Sequence, residues 1–265
     1  MLVLIRGAGD LASGIALRLH RAHIRVIMTD IEHPTAIRRT VAFSEAIRTG
    51  ETTVEGVRAR RAETAGSALD LLKENIIPVL PDAEGRCIRA LKPRAVVDAI
   101  LAKRNLGTRI TDAPVVIGVG PGFTAGQDCH AVVETMRGHT LGRVFYEGSA
   151  LPNTGVPGLI GGFSGERVLR APAEGVFQPL RAIGDQVQEG DIAATVNGVP
   201  MACTLAGVLR GILPEGTRVH QGMKAGDIDP RCKVEHCYTV SDKALAVGGG
   251  VLEALLALWE ESKEE

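Results

Sequence analysis

Residues 2–30 restrict the possible folds more than any other stretch of the chain. They open with Leu2-Val3-Leu4-Ile5, pass through Arg6-Gly7-Ala8-Gly9-Asp10-Leu11-Ala12, keep apolar positions at Ala16, Leu17 and Leu19, and close on Val26-Ile27-Met28-Thr29-Asp30. An apolar run followed at once by G-x-G-x-x-A is the order of a buried strand, a tight turn and a helix start. Gly7 permits the turn, Gly9 lets a pyrophosphate approach the main chain without meeting a Cβ, and Ala12 keeps helix and strand close. The first amides of the helix carry partial positive charge, which suits a phosphate. Asp30 ends the second apolar run at the position from which a carboxylate accepts a ribose hydroxyl. The stretch therefore predicts a β-α-β unit with Gly7, Gly9, Asp10, Leu11, Ala12 and Asp30 around a dinucleotide. A carboxylate at position 30 repels a 2′-phosphate, which favours NAD over NADP.

Composition narrows the function classes. With 265 residues, 45% of them hydrophobic, the chain is long enough for two cores. Its net charge of -1 and 3% aromatic content give no basis for nucleic-acid binding. The first apolar run is interrupted by Arg6, and residues 244–259 contain Glu253 and three consecutive glycines, so neither a targeting segment nor a membrane span is expected. Five scattered cysteines with no C-x-x-C predict reduced thiols in the cytoplasm.

Further along, residues 76–80 and 95–101 read as buried strands, the second carrying Asp98. A buried carboxylate needs a partner, and Lys103 and Arg104 are the local candidates. The run from Val115 ends in Gly118, Gly120 and Gly122 around Pro121, which predicts a ligand-facing loop at the carboxyl end of the sheet. Asp128 and His130 follow and, two apart on an extended chain, can share a face; with Asp98 they are the candidate proton-transfer groups. Residues 131–136 and 141–146 flank Arg137-Gly138-His139-Thr140 and predict an antiparallel hairpin.

A duplication marks the second half. Gly175-Val176, Gly184, Val187 and Gly190 reappear as Gly207-Val208, Gly216, Val219 and Gly222, each 32 residues on. Two such halves resemble the barrel-sandwich hybrid of biotinyl and lipoyl domains, although the junction at 196–203 holds no lysine for a swinging arm. Cys232, His236 and Cys237 lack a fourth ligand nearby, so no metal site is expected. The whole predicts an α/β fold: a Rossmann-like parallel sheet over 1–165, a duplicated β barrel-sandwich domain over 166–231, and a C-terminal strand and helix over 232–265 packing back on the first domain.

Several motifs together, Ile5-Arg6-Gly7-Ala8-Gly9-Asp10-Leu11-Ala12-Ser13-Gly14, residues 97–105, Gly118-Val119-Gly120-Pro121-Gly122-Phe123, residues 224–231 and Ser241-Asp242-Lys243-Ala244-Leu245, resemble the YqeB family, accessory proteins of the selenium-dependent molybdenum hydroxylase system. The resemblance spans nearly the full length. It implies a role in maturing a molybdenum hydroxylase, with a hydroxylase subunit or other maturation proteins as partners, and leaves a homo-oligomer open. It brings no established catalytic residues. The ligand of the opening unit is then NAD or a molybdopterin dinucleotide, both of which offer a pyrophosphate and a ribose. The alternatives are a free-standing NAD-dependent oxidoreductase using Asp98, Asp128 or His130, and a non-catalytic scaffold.

Overall fold

A computed structural model describes residues 1–261; the last four residues of the expected C-terminal segment, 262–265, lie outside the described residues. The chain divides into two compact units, one built from 1–34, 42–154 and the segment from Val240 onward, the other from 35–41 and 155–239.

The first unit is built on a nine-stranded sheet. In chain order its strands are β1 (Leu2–Arg6), β2 (Arg25–Asp30), β3 (Glu51–Val54), β4 (Val57–Arg61), β5 (Ile77–Pro81), β6 (Ala95–Asp98), β7 (Val115–Val119), β8 (Ala131–Val133) and β9 (Val144–Phe145). Across the sheet they run β3-β4-β5-β2-β1-β6-β7-β8-β9. The strands from β4 to β8 pair in parallel, whereas β3 and β9 add antiparallel edges. Val3, Leu4 and Ile5 of β1 and Val96 and Val97 of β6 are fully buried, as continuous apolar runs must be when both faces of a parallel sheet are covered.

Helix α1 (Asp10–Arg21) follows β1, and α2 (Glu45–Thr49), α3 (Ala65–Lys73) and α4 (Ile88–Leu91) follow in the chain. Thr64 and Ser67 close a reciprocal capping box at the start of α3. The long C-terminal helix α5 (Asp242–Glu261) lies against α1. Its glycines explain how: a Cβ on Gly248 would sit 3.0 Å from Gly14 O, and one on Gly250 only 2.1 Å from Gly142 O. Residues costly to a helix interior are kept because backbone must approach backbone there. The far end of α5 places Trp259 under the Arg94 guanidinium, 4.8 Å from the ring centre.

The second unit comprises two four-stranded antiparallel sheets. Its strands are β10 (Val168–Arg170), β11 (Gly175–Pro179), β12 (Gln186–Val187), β13 (Ile192–Val196), β14 (Val199–Ala202), β15 (Gly207–Ile212), β16 (Arg218–Val219) and β17 (Lys224–Asp229). They order as β10-β17-β15-β12 and β14-β13-β11-β16. Strands starting at 175, 186 and 192 recur at 207, 218 and 224, each 32 residues later. Asn197 and Gly198, both at positive φ, make the tight turn between β13 and β14, as Asn-Gly does in two-residue hairpins. A buried ionic cluster sits on the first of these sheets. Asp227 is shared by Arg167 at 2.9 Å and Arg210 at 2.6 Å, and Asp229 by Arg231 at 2.6 Å and Arg210 at 3.3 Å.

The expected Rossmann-like parallel sheet with a biotinyl- or lipoyl-like barrel domain is therefore corrected to a mixed α/β arrangement: one nine-stranded mixed sheet and two antiparallel sheets. The glycine motif constrains only β1, α1 and β2. Beyond β6 the connections to β7 and β8 contain no helix, so the second half of the sheet is not a repeat of the first, and hairpins close both edges. In the second unit the repeat fixes where strands start but not what joins them. Residues 35–41 enter from the distant amino-terminal third, and Ile37 O accepts the Ile212 amide at 2.9 Å.

Exposure separates the five cysteines. Burial raises the thiols of Cys203 and Cys237 and pushes Cys129 up to about 11 and Cys87 up to about 12, whereas Cys232 is exposed. Only a thiolate alkylates quickly. Iodoacetamide at pH 8 is expected to modify Cys232 alone in the native protein and all five thiols after denaturation, as read by intact-mass spectrometry.

Candidate functional site

The carboxyl ends of the parallel strands β2, β1, β6, β7 and β8 lie at one edge of the first unit, and the winding reverses at β1: the chain passes outward through β2 to β5 and returns to pair β6 on the other side of β1. In open α/β sheets this is where ligands are held.

Gly7 turns the chain out of β1 at φ +97°, and its amide donates to Thr29 O at 2.8 Å. A Cβ there would lie 2.6 Å from Ala99 O, so the β6 exit packs directly on the turn. Ala8 is fastened at both ends. Its amide donates to Asp30 Oδ2 at 2.8 Å, and its carbonyl accepts the Ser44 amide at 2.8 Å and the Ser13 hydroxyl at 3.2 Å. Gly9 differs from all of these: nothing lies within 4 Å of where its Cβ would be, and no side chain caps the α1 helix that starts after it. Asp10 and Leu11 form the partly exposed first turn of α1, and Ala12 is buried. The sequence thus folds into a braced turn with one open point.

Asp30 braces that turn. Its second oxygen accepts the Ile31 amide at 2.8 Å, and burial raises the carboxyl against the opposing pull of the Ile31 and Ala8 amides. Each carboxylate oxygen has a second lone pair, so the residue can accept a hydroxyl while holding the turn.

Asp98 takes a partner other than Lys103 or Arg104. It pairs with Arg6, directly across the β1–β6 register, at 3.5 Å, and it accepts the Thr108 hydroxyl at 2.6 Å and the Ile100 amide at 3.2 Å. Arg6 also donates to Thr108 and to Ala83 O, and both Arg6 and Asp98 are nearly fully buried. The arginine just before the glycines was the available signal: an ionic residue ending a buried strand must find a counter-charge at the end of a neighbouring strand.

The second glycine group is filled by the chain itself. A Cβ on Gly118 would meet the Phe123 ring at 2.5 Å, on Gly120 the Thr135 Oγ1 at 2.7 Å, and on Gly122 the Arg104 Cα at 2.6 Å. Asp128 accepts the Thr124 amide at 2.8 Å and the Asn105 side-chain amide at 3.3 Å. His130 Nδ1 accepts the Val116 amide at 2.9 Å, which puts its proton on Nε2, and burial lowers its basicity. Asp128 is therefore occupied in holding the loop at Thr124, and His130 in bonding the main chain of β7. Among the described residues, no group of three or more histidine, cysteine or acidic side chains is arranged to hold a metal ion, and no helix is long and apolar enough to cross a membrane.

Sequence reasoning missed Ser13, Ser44 and Thr108, which brace the turn and the Arg6–Asp98 pair, because nothing in their local sequence points to partners so far along the chain. It also missed Glu134, fully buried, whose oxygens accept the amides of Thr135 and Met136 at 2.7 Å and of Leu151 at 2.9 Å.

No family model matches the chain. Among solved structures, an aspartoacylase family protein of Mesorhizobium loti is 12% identical with a TM-score of 0.28, covering 86% of this chain and 84% of its own. A succinylglutamate desuccinylase from Silicibacter is 14% identical with a TM-score of 0.26 over the same shares. These likenesses are too weak to carry a shared function. By sequence the chain is similar to YqeB of Escherichia coli (strain K12), an uncharacterised protein: 54% of residues are identical over 257 positions, which are 97% of this chain and 48% of YqeB, so the chain spans about half the length of that relative.

Proposed function

We propose that the chain is a cytoplasmic member of the YqeB family that binds a diphosphate-containing ligand, NAD or a molybdopterin dinucleotide, at the turn between β1 and α1. In this reading it serves as an accessory protein in maturing a selenium-dependent molybdenum hydroxylase, working with a hydroxylase subunit or another maturation protein. The observation that carries the binding role is the open space in front of Gly9, at the uncapped start of α1, in a turn whose other members are all fixed. An uncapped helix start with open space in front of it can receive an anion on its first amides. The accessory role is supported by the sequence likeness to YqeB and by motif resemblance along nearly the whole chain. It requires no proton relay, in keeping with the engagement of Asp98, Asp128 and His130 in hydrogen bonds that hold the main chain.

Calorimetry with NAD and with molybdopterin dinucleotide tests the site. Gly9→Val places branched carbon in the open position without touching the core, and it should weaken the ligand by about 100-fold, roughly 2.7 kcal/mol. Asp30→Ala releases Ala8 and removes the ribose acceptor, and it should weaken the same ligand. Unchanged affinity in both variants would exclude the site.

A further inference from the structure

The opposite edge of the nine-stranded sheet, where β2, β4 and β5 begin, holds a cavity of about 380 Å³. It opens where α1 hands the chain to β2 and α3 hands it to β5, and the two handovers are built alike. After α1 the His23 amide donates to His20 O at 2.9 Å and the Ile24 amide to Leu19 O at 3.0 Å. After α3 the Asn75 amide donates to Leu72 O at 3.3 Å and the Ile76 amide to Leu71 O at 3.2 Å. Each helix thus ends on a left-handed residue, His23 at φ +60° and Asn75 at φ +58°, in the position where glycine is the usual choice. Glycine would sit there without a Cβ penalty, yet both positions carry side chains that can hydrogen-bond, and both line the cavity.

His20 and Arg25 complete the polar lining. None of these four side chains makes a hydrogen bond or ion pair among the described residues. Arg21 also lines the cavity, but its guanidinium is taken by Glu55 at 2.9 Å. Among the described residues no acid lines the space. Burial, then His23 and Arg21, lowers the basicity of His20, so Arg25 supplies the standing charge. The apolar wall comes from half-buried Val57 and Leu72 with buried Ile24 and Ile76. An apolar recess with one unneutralised cation and neutral hydrogen-bonding groups at its rim matches a molecule with a hydrocarbon body and one negative end.

We infer that this cavity binds a small carboxylate with an apolar body, its charged end held by Arg25, His23 and Asn75 and its hydrocarbon part laid on Leu72 and Val57. The site lies across the sheet from the glycine turn and requires no ligand there.

Hexanoate titrated into the full chain, followed by the amide resonances in two-dimensional NMR spectra, tests the assignment. The shifts should saturate and be largest over residues 20–26 and 72–77. Acetate, four methylenes shorter, should bind about 100-fold more weakly, and hexanamide, which keeps the body and lacks the charge, about tenfold more weakly. Arg25→Gln should weaken hexanoate about tenfold. His23→Gly introduces the residue that a left-handed cap prefers, so the fold is retained while hexanoate binds about threefold more weakly. The site is overturned if the shifts fail to saturate or fall elsewhere, or if both variants bind hexanoate as the parent does. Acetate or hexanamide binding as tightly as hexanoate would overturn the ligand class.

Discussion

Gly7→Ala is expected to unfold most of the first unit at moderate urea, whereas Gly9→Ala two residues on should leave it nearly as stable as the wild type. At position 7 the backbone has φ +97°, which an L side chain rarely adopts, and the new Cβ would lie 2.6 Å from Ala99 O and 2.8 Å from Ala99 C. Those atoms are main chain at the exit of β6 and cannot swing aside. Left-handed strain of about 1–3 kcal/mol adds to the overlap, for a total on the order of 4 kcal/mol. At position 9 the φ of -67° suits any residue and the Cβ meets nothing, so the change should stay within about 1 kcal/mol. Trp259, the single tryptophan, belongs to the first unit and reports on it. Its fluorescence in urea should show a large loss for Gly7→Ala and almost none for Gly9→Ala. Equal midpoints for the two variants would mean that the turn does not pack on β6 as described.

The second large effect is expected in the other unit. Asp227→Ala removes the carboxylate shared by Arg167 and Arg210 and leaves two guanidinium groups buried without it. Breaking a buried ionic cluster at its common member typically costs about 3–5 kcal/mol, because the remaining charges keep their desolvation penalty. Hydrogen exchange read by mass spectrometry should show faster exchange in peptides from residues 166–231 and unchanged protection over 2–30. Protection unchanged in both regions would show that the cluster contributes little. The same cluster sets the acid limit of this unit. Burial alone would raise the Asp229 carboxyl, but the hydrogen bonds from Arg231 and the Arg210 charge outweigh it and hold the group well below the usual carboxylate range. A carboxyl depressed in the folded state adds stability that is complete above its unfolded value, about 3.9, and fades as pH falls toward the folded one. Protection over 166–231 should accordingly hold at pH 5 and decline only below about pH 4.

The contrast between Gly7 and Gly9 also shows how two identical letters of one motif acquire different meanings. Both lie in the tight turn between β1 and α1. Which glycine is packed and which is open depends on where β6 ends, some 90 residues further along the chain. The same holds for Gly118, Gly120 and Gly122. Their spacing resembles a ligand loop, yet Phe123, Thr135 and Arg104 occupy the space that the missing side chains leave.

Taken alone, the sequence determined what depends on near neighbours. The strand, turn and helix of residues 2–30, the buried run at Asp98, the hairpin around Gly138 and the 32-residue recurrence of strands are all local periodicities or turn chemistries, and such signals act within a few residues. Tertiary structure alone decided what depends on pairing across distance. It set Arg6 against Asp98 instead of Lys103 or Arg104, turned Asp30 onto Ala8, replaced the expected parallel sheet and barrel with a mixed sheet and two antiparallel ones, and carried Gly248 from the far end of the chain onto Gly14. A buried charge must be neutralised and a bare strand edge must be paired or covered, but the chain can meet each demand with any suitable group that the packing brings within reach. That choice is made by the global arrangement of the core, which no short window of sequence contains.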